Sequence, residues 1–493
     1  MTTELKNLYE NLIQEMVMDG ITGMTPEIKK MITDAPVDKR RLMILNIMEE
    51  NNTEHRLLCS KIQKTINSAN ASESKHIKDV VKMLREYVEV SDTEVKTMGE
   101  VMTPISLVEE MLDTLPDVVW TNPNLKWLDP CNGVGTFVSV IIARLMKGLV
   151  NFETDDKLRY QHIMENMIYV CELQAKNVFL YLYAFDPKDE YALNIYNGSY
   201  LDSNFDAHIL DLGVEKFDIV VMNPPYQMQQ EGNTKTQNLW DKFVNKVLIS
   251  SLINDGYLVA VHPSGWRNVD GMFKNVQRLL KSKQILYLEL HTTKDGFETF
   301  GANTTYDFYC LRNTENLGNF NTKIKCTDGK IERMDVSKME FIPNSNIELV
   351  FSLVAKNGEE KIKVLADSSY HTQKLEQMSD VQTEEFKYPC AYTIGAKNPG
   401  FWYSNIKKEG HFVPKVIWGN GLSDVIVDAE GKYGLTQFAY AIVDNVQNLE
   451  RIKQALKSER FIKDVMGYNK GVGHIYNRKV IATFRKDFWV DFL

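Results

Sequence analysis

The ten residues at 217–226, Phe-Asp-Ile-Val-Val-Met-Asn-Pro-Pro-Tyr, leave the backbone few choices. Ile219 to Met222, with Phe217 just before them, make a continuous apolar run of the kind found in a strand buried on both faces. Neither Pro224 nor Pro225 can donate to a ladder, so the strand stops at Asn223. Asn223 therefore stands at the carboxyl end of a buried strand, where open α/β sheets bind their ligands.

That position suits chemistry on an exocyclic amine. An NH2 on a purine or a carboxamide is a weak nucleophile because its lone pair is delocalised. Two acceptors aimed at its hydrogens make it more reactive: the Asn223 side-chain oxygen and the Pro224 carbonyl, whose direction the two prolines constrain. Tyr226 adds a flat face for a planar base. Asn and Pro are also common turn residues, so these four positions alone leave an ordinary strand-to-loop turn open as the lesser alternative.

Upstream residues tip the balance. Residues 125–129 read as a strand ending in Asp129. The turn Pro130-Cys131-Asn132-Gly133-Val134-Gly135 follows, and Phe137 opens a helix. The glycines permit a tight turn and a close approach of backbone to ligand. A second strand, 167–172, ends in Glu172, and a carboxylate there can accept both hydroxyls of a ribose. Without the glycine turn, a surface acid at a strand end would be the simpler account of Glu172.

At 493 residues the chain is long enough for two or three domains. Its net charge of -9 argues against a nonspecific polyanion binder but leaves room for a local basic cleft. The six cysteines are scattered without a CxxC pair, so reduced thiols and no metal site are expected. There is no signal-like N-terminal run and no apolar window of membrane-span length, which implies a cytoplasmic protein without membrane contact.

Taken in order, residues 1–95 carry helical spacing throughout, as in Leu5, Leu8, Tyr9 and Leu12. A further helix is expected over 107–115, with Ser106 as its cap. Strand and helix alternate from about 97 to 313, which implies a mostly parallel sheet covered on both faces. A polar, amide-rich loop is expected at 227–238, a helix at 240–252 and a strand at 256–263. Beyond 314 the strands become short and turn-bounded. Two stretches there, 395–404 with Lys397 and Trp402, and 414–421, mix glycine, amide, lysine and aromatic residues in a way that suits groove contacts with DNA. Exposed turns capped by core aromatics have the same composition. A helix over 449–465 with Arg451, Lys453, Lys457, Arg460 and Lys463 on its polar side, followed by Lys470, Arg478, Lys479, Arg485 and Lys486, fits a local polyanion cleft.

Together these residues resemble the S-adenosylmethionine (SAM)-dependent amino-methyltransferases. Among them the chain is most similar to DNA adenine-N6 methyltransferases of the gamma arrangement, as in type IIG enzymes and type I modification subunits. Gly99 to Pro104, with Thr103 and Pro104, resembles the family's N-terminal SAM-pocket motif. The residues at 129–137 resemble its glycine motif, Glu172 its ribose-binding acid, and Asn223-Pro224-Pro225-Tyr226 its catalytic motif. Phe300, with the strand at 304–311, resembles the later motif whose aromatic residue helps hold the flipped base. The resemblance covers about 97–313. One position departs from it: the acid that often contacts the SAM adenine is Ser199 here, which passes that contact to Tyr200 or to main chain.

The resemblance implies an α/β, Rossmann-like methyltransferase domain at 96–313, an N-terminal helical region at 1–95 and an α+β target-recognition domain at 314–493. SAM would be held by Thr103, Pro104, Asp129, Cys131, Gly133, Gly135, Phe137, Glu172, Ser199 and Tyr200. Asn223 and Pro224 would engage the target amine, and Tyr226 and Phe300 would sandwich the base. The substrate implied is double-stranded DNA, in a restriction-modification or related phage-defence setting, with a specificity or restriction subunit as a further partner. RNA and protein-glutamine methyltransferases share the same Asn-Pro-Pro-Tyr site, so both stay open, as does a fused enzyme that also cuts DNA. For cutting, Glu94-Val95-Lys96 fits half of a nuclease motif, but no Pro-Asp precedes it at a useful distance.

Overall fold

The computed structural model describes residues 103–186, 190–229, 236–269, 271–366, 369–394, 399–419, 424–466 and 477–493. The helical region read at 1–95, the Glu94-Val95-Lys96 tripeptide and Lys397 lie outside the described residues. The chain forms two compact units. The first runs to Ser264 and takes back Asn275–Glu289 and Lys294–Lys323; the second holds Gly265–Lys274, Leu290–Thr293 and Ile324–Leu493.

In the first unit, helix α1 (Ile105–Leu112) precedes strand β1 (Trp127–Asp129) and helix α2 (Thr136–Gly148). Next come α3 (Asp156–His162), β2 (Ile168–Glu172), α4 (Ala175–Phe185), β3 (Asn194–Asn197) and α5 (Ser203–Asp211). The strand that leads into Asn223-Pro224-Pro225-Tyr226 is β4 (Phe217–Met222). It is followed by the pair β5 (Gln227–Gln229) and β6 (Thr236–Asn238), then α6 (Trp240–Lys246) and β7 (Leu252–Pro263). The unit closes with β8 (Lys283–Leu290), α7 (Thr293–Phe300) and β9 (Tyr306–Glu315).

The strands lie side by side in the order β8-β9-β7-β4-β1-β2-β3. From β1 the chain lays β2 and β3 on one side, then crosses over to lay β4 and β7 on the other, all parallel. β9 runs antiparallel beside β7. The reversal of direction falls between β1 and β4, and the carboxyl ends of those two strands flank the crevice where such sheets bind ligands. Every residue of β1 and β2 is buried, and so is all of β4 except Asp218, as a strand covered on both faces requires. Val138, Ile141, Ile142 and Leu145 of α2 pack with Trp127, Ile219 and Val221 of the sheet. At roughly 1.5–3 kcal/mol per fully buried aliphatic side chain, this packing fixes where α2 begins, and with it the turn between β1 and α2.

Several local expectations change. Ser106 does not cap α1; it lies inside the helix, and Val108 N–H bonds the Pro104 carbonyl. The helix expected at 240–252 is α only to Lys246. A single π turn, Val247–Ser251, follows, and the buried Leu252 already starts β7. The polar stretch 227–238 contains a hairpin rather than a loop alone: Gln227 pairs with Asn238 and Gln229 with Thr236. Leu239 N–H bonds the Tyr226 carbonyl at its base.

The second unit is α+β. One sheet contains Lys363–Leu365, Ala439–Val443, Lys415–Gly419 and Val425–Asp428, in that order. The helix Val446–Lys457 presses Leu449, Ile452 and Leu456 into the same core as Val416, Trp418 and Ile442. A second sheet is built on Tyr388–Ile394 paired with Pro399–Ser404. Within the stretch expected to contact a DNA groove at 414–421, Lys415 and Trp418 are fully buried. Lys415 Nζ meets Asp428 at 2.7 Å, an ion pair sealed in the sheet, and Trp418 is core. Neither can touch a groove. Trp402 is half-buried and packs against Tyr370, Met378 and Cys390. Many of the cations read as a basic stripe are already engaged within this unit. Lys457 pairs with Asp424, Arg485 with Asp491 and Lys486 with Glu360, while Arg451 lies over Trp489 and Arg478 over Tyr440. Among the described residues, no helix is long and apolar enough to cross a membrane.

Candidate active site

A pocket opens at the carboxyl ends of β1, β2 and β4. It brings together Thr103, Cys131, Gly133, Phe137, Glu172, Ser199, Tyr200, Asn223, Pro224 and Pro225, all of them singled out in the sequence. Pro104, Asp129 and Gly135 do not line it.

The two glycines act differently. Both have positive φ, +56° at Gly133 and +90° at Gly135, a region that L side chains rarely adopt. A Cβ on Gly133 would meet nothing within 4 Å. A Cβ on Gly135 would lie 2.5 Å from Phe185 Cε2 and 2.9 Å from Tyr181 Cδ2. Gly135 therefore allows α4 to pack against the start of α2, and shapes the pocket only through that packing; it is not a surface for the ligand.

Glu172 ties the turn to the end of β2. Its Oε2 accepts the Gly133 N–H at 2.8 Å and its Oε1 accepts the Gln174 N–H at 2.8 Å. Asn132 N–H bonds the Cys171 carbonyl across the same gap. Asp129 lies beneath the turn. Its Oδ1 accepts the Cys131 N–H at 3.1 Å, while its buried Oδ2 has no hydrogen-bond partner among the described residues. Burial pushes its carboxyl up to about 8, the Cys131 N–H opposing and the Glu172 charge adding to the rise. Asn132, not foreseen as a contact residue, donates Nδ2 to the Gly133 carbonyl and leaves its buried Oδ1 likewise unpartnered among the described residues. Its only sequence signal was its place inside the glycine turn.

On the β3 side, Ser199 Oγ accepts the Leu201 N–H at 3.3 Å. The Tyr200 ring is 1% exposed; its hydroxyl meets Ser251 Oγ at 2.7 Å and its carbonyl accepts from Lys246 Nζ at 2.7 Å. Tyr200 thus offers the pocket a ring held at both ends.

Asn223 is held from two walls of the pocket. Its Nδ2 donates to Thr103 Oγ1 at 3.0 Å, and its backbone N–H reaches the Cys131 sulfur. Burial holds the Cys131 thiol well above its usual range, so it remains a neutral acceptor. Pro224 is buried, and Pro225 and Tyr226 are half-buried. Tyr226 meets Phe300, the last residue of α7, with ring centroids 6.4 Å apart and planes at 85°. Phe300 in turn leans on Tyr306 at 5.0 Å. Phe297, one turn earlier, is 58% exposed. Phe300 is therefore the aromatic residue beside Tyr226, but the two rings meet edge to face. They do not present the parallel faces a sandwich requires, because the edge-to-face contact fills the gap between them.

The chain is similar to several known proteins. The family model described as Eco57I restriction-modification methylase matches residues 39–297. A Mycoplasma pneumoniae protein named as an uncharacterized adenine-specific methylase is 24% identical over 325 residues, covering 51% of this chain and 77% of that protein. Among solved structures, a modification subunit of a proposed type I restriction enzyme from Vibrio vulnificus YJ016 aligns with TM-score 0.38 and 15% identity, over 53% of this chain. The chain spans about half, 54%, of that Vibrio subunit. The type I restriction-modification methyltransferase subunit from Streptococcus thermophilus aligns with TM-score 0.33 and 14% identity, over 67% of this chain and 76% of that one.

Proposed function

The chain belongs to the Eco57I restriction-modification methylase family, and from that premise we propose that it transfers the methyl group of SAM to the N6 amine of an adenine in a specific double-stranded DNA sequence. The observation that carries this reading is that one pocket holds both the Gly133 turn and the Asn223-Pro224-Pro225 end of β4. A methyl donor and an amine could meet there. The Mycoplasma relative's name gives adenine as that protein's target, and the amine chemistry of Asn223 suits the same base here.

The donor set fits SAM. Two buried acceptors, Asp129 Oδ2 and Asn132 Oδ1, have no partner among the described residues. Asn132, in the pocket wall, suits a cationic amino-acid head, with the Asp129 carboxyl behind it beneath the turn. Glu172 lines the pocket at the end of β2, where a carboxylate suits ribose hydroxyls, and the Phe137 and Tyr200 rings suit apolar and planar parts of the ligand. When bound, SAM supplies a sulfonium-activated methyl group. The residues of the chain prepare the amine. Asn223 Oδ1 and the Pro224 carbonyl accept its hydrogens and stabilise the positive charge that builds on nitrogen as it attacks. No general base is needed beforehand, because the proton leaves after the nitrogen has become cationic. Most of the rate gain therefore comes from positioning. Tyr226, braced by Phe300, offers one stacking face to the extruded base.

In this reading Thr103 lies in the wall of the SAM pocket with Pro104 next to it, and residues beyond about 314 read the DNA sequence. Trp402 and Lys397 remain our candidates for that contact, whereas Lys415 and Trp418 are not. The setting is a cytoplasmic restriction-modification or phage-defence system, with a specificity or restriction subunit as partner.

The test is direct. Purified protein, SAM and bacterial genomic DNA are incubated together, and the DNA is read by long-read sequencing that detects modified bases. N6-methyladenine at one recurring motif is the expected result. Methyl transfer to RNA or to a protein glutamine, with DNA unmodified, would overturn the reading.

A further inference from the structure

Asn223 is the residue that must hold the amine, yet its side chain is itself held. The Nδ2 to Thr103 Oγ1 bond is 3.0 Å long and joins residues 120 positions apart. Thr103 is 5% exposed and lines the pocket, directly before the Pro104 that leads into α1. At the other end of the same residue, the Asn223 backbone N–H is anchored on Cys131, part of the glycine turn. Both supports belong to the wall of the proposed SAM pocket.

We propose that Thr103 is a positioning residue for methyl transfer, one that fixes the plane of the Asn223 amide and so aims its oxygen at the target amine. The proposal rests on the reading of the pocket as a methyltransferase site and assigns Thr103 a task beyond forming its wall. An asparagine side chain turns freely about its last torsion, which is broad rather than staggered. The hydrogen bond that its Nδ2 donates to a buried hydroxyl oxygen narrows that rotation. It also polarises the amide, because a donor engaged at Nδ2 strengthens Oδ1 as an acceptor. The threonine methyl group, buried in the same wall, limits the rotamers of the hydroxyl. The position of Thr103 and the aim of Asn223 are thereby coupled: a displaced Thr103 would remove this constraint on the amide plane.

The test compares Thr103→Val, which keeps the shape and loses the acceptor, with Thr103→Ser, which keeps the acceptor. Three quantities are measured: SAM affinity by calorimetry, extrusion of a 2-aminopurine at the target position by fluorescence, and the single-turnover rate of methyl transfer. Thr103→Val is expected to slow the single-turnover rate at saturating SAM by about tenfold or more, the scale of a small misplacement of a reacting group, beyond any loss of SAM affinity and with the fluorescence within about twofold of the parent. Thr103→Ser should recover most of the rate. A Thr103→Val rate within twofold of the parent, or a loss explained entirely by weaker SAM binding, would overturn the proposal.

A second readout needs no activity. In protein labelled with 15N-asparagine, the side-chain NH2 signals of Asn223 are assigned by their absence in Asn223→Ser. Thr103→Val should shift them and hasten their exchange with water, and Thr103→Ser should not. Unchanged signals in Thr103→Val would overturn the proposal even if the parent protein methylates no DNA, so its failure is distinct from failure of the methyltransferase reading.

Discussion

The Gly133 N–H donates to Glu172 Oε2 at 2.8 Å, so the acid at the end of β2 holds the glycine turn in place before any ligand arrives. Its other oxygen accepts from Gln174 N–H. Both carboxylate oxygens thus face donors, and only a carboxylate accepts at both. In Glu172→Gln one of the two positions becomes an NH2 group facing an N–H. The expected loss is about 1–3 kcal/mol of SAM binding, the scale of an unmade hydrogen bond at a buried group. Calorimetry on the folded variant checks it, and an unchanged affinity would remove Glu172 from the cofactor site.

The glycine pair gives a contrast. Gly133→Ala meets only backbone strain at positive φ, about 1–2 kcal/mol. Gly135→Ala meets the same strain and also a Cβ 2.5 Å from the Phe185 ring, which adds about 1–3 kcal/mol of overpacking. Thermal unfolding should therefore rank Gly135→Ala well below Gly133→Ala. Adding Phe185→Leu should restore part of the stability of Gly135→Ala and none of that of Gly133→Ala. Equal melting temperatures for the two single variants would show that the turn relaxes freely at Gly135.

What could be read in the sequence follows from how local each signal is. The apolar run of β4 and its arrest at two prolines are local facts, and the strand stands at Phe217–Met222. The acids at 129 and 172 could be read as strand ends for the same reason. Direction was not legible at Gly135: a glycine announces that a side chain is forbidden, not what would have met it, and here that is Phe185, fifty residues away. Lys415 and Trp418 misled for a related reason. A lysine next to glycine, amide and tryptophan looks exposed until Asp428, thirteen residues later, folds onto it. The edge-to-face meeting of Tyr226 with Phe300 depends on a helix, Thr293–Phe300, whose sequence gave little helical pattern to follow.

From beneath the glycine turn, Asp129 is expected to make binding of the proposed cofactor sensitive to pH. Its carboxyl titrates at about 8 in the free protein, raised mainly by burial. Near neutral pH it is therefore largely protonated. A cation seated beside it favours the ionised form, so binding should expel a proton. Affinity should rise as the pH climbs towards about 8 and level off above it. The sign for the free protein is opposite: the raised carboxyl costs stability progressively as pH rises from the ordinary carboxylate range towards 8. Calorimetry of SAM binding at neutral pH, in buffers of different ionisation enthalpy, counts the proton. Asp129→Asn should remove that contribution. An identical proton count in parent and variant would show that Asp129 does not face the cation.

The last prediction separates holding the amine from holding the base. In the proposed reaction Asn223 acts on charge that appears only as the nitrogen attacks, so Asn223→Ala should cut single-turnover methylation by on the order of 10²-fold or more. SAM affinity and DNA binding should change little. Tyr226 acts earlier. Its ring lies edge to face with Phe300 at 6.4 Å, so it offers the base one stacking face with a brace behind it. Tyr226→Ala should weaken capture of the extruded base by roughly 1–3 kcal/mol. Phe300→Ala removes only the brace, so its effect should be smaller and of the same kind. With 2-aminopurine at the target position, the fluorescence rise on binding should survive in Asn223→Ala, change in Tyr226→Ala and change less in Phe300→Ala. If the two aromatic residues instead parted to sandwich the base, Phe300→Ala would match Tyr226→Ala, and the edge-to-face brace would be only a resting arrangement. If Asn223→Ala kept near-normal methylation of duplex DNA, the amine would be held by other groups and the catalytic reading of β4 would fall.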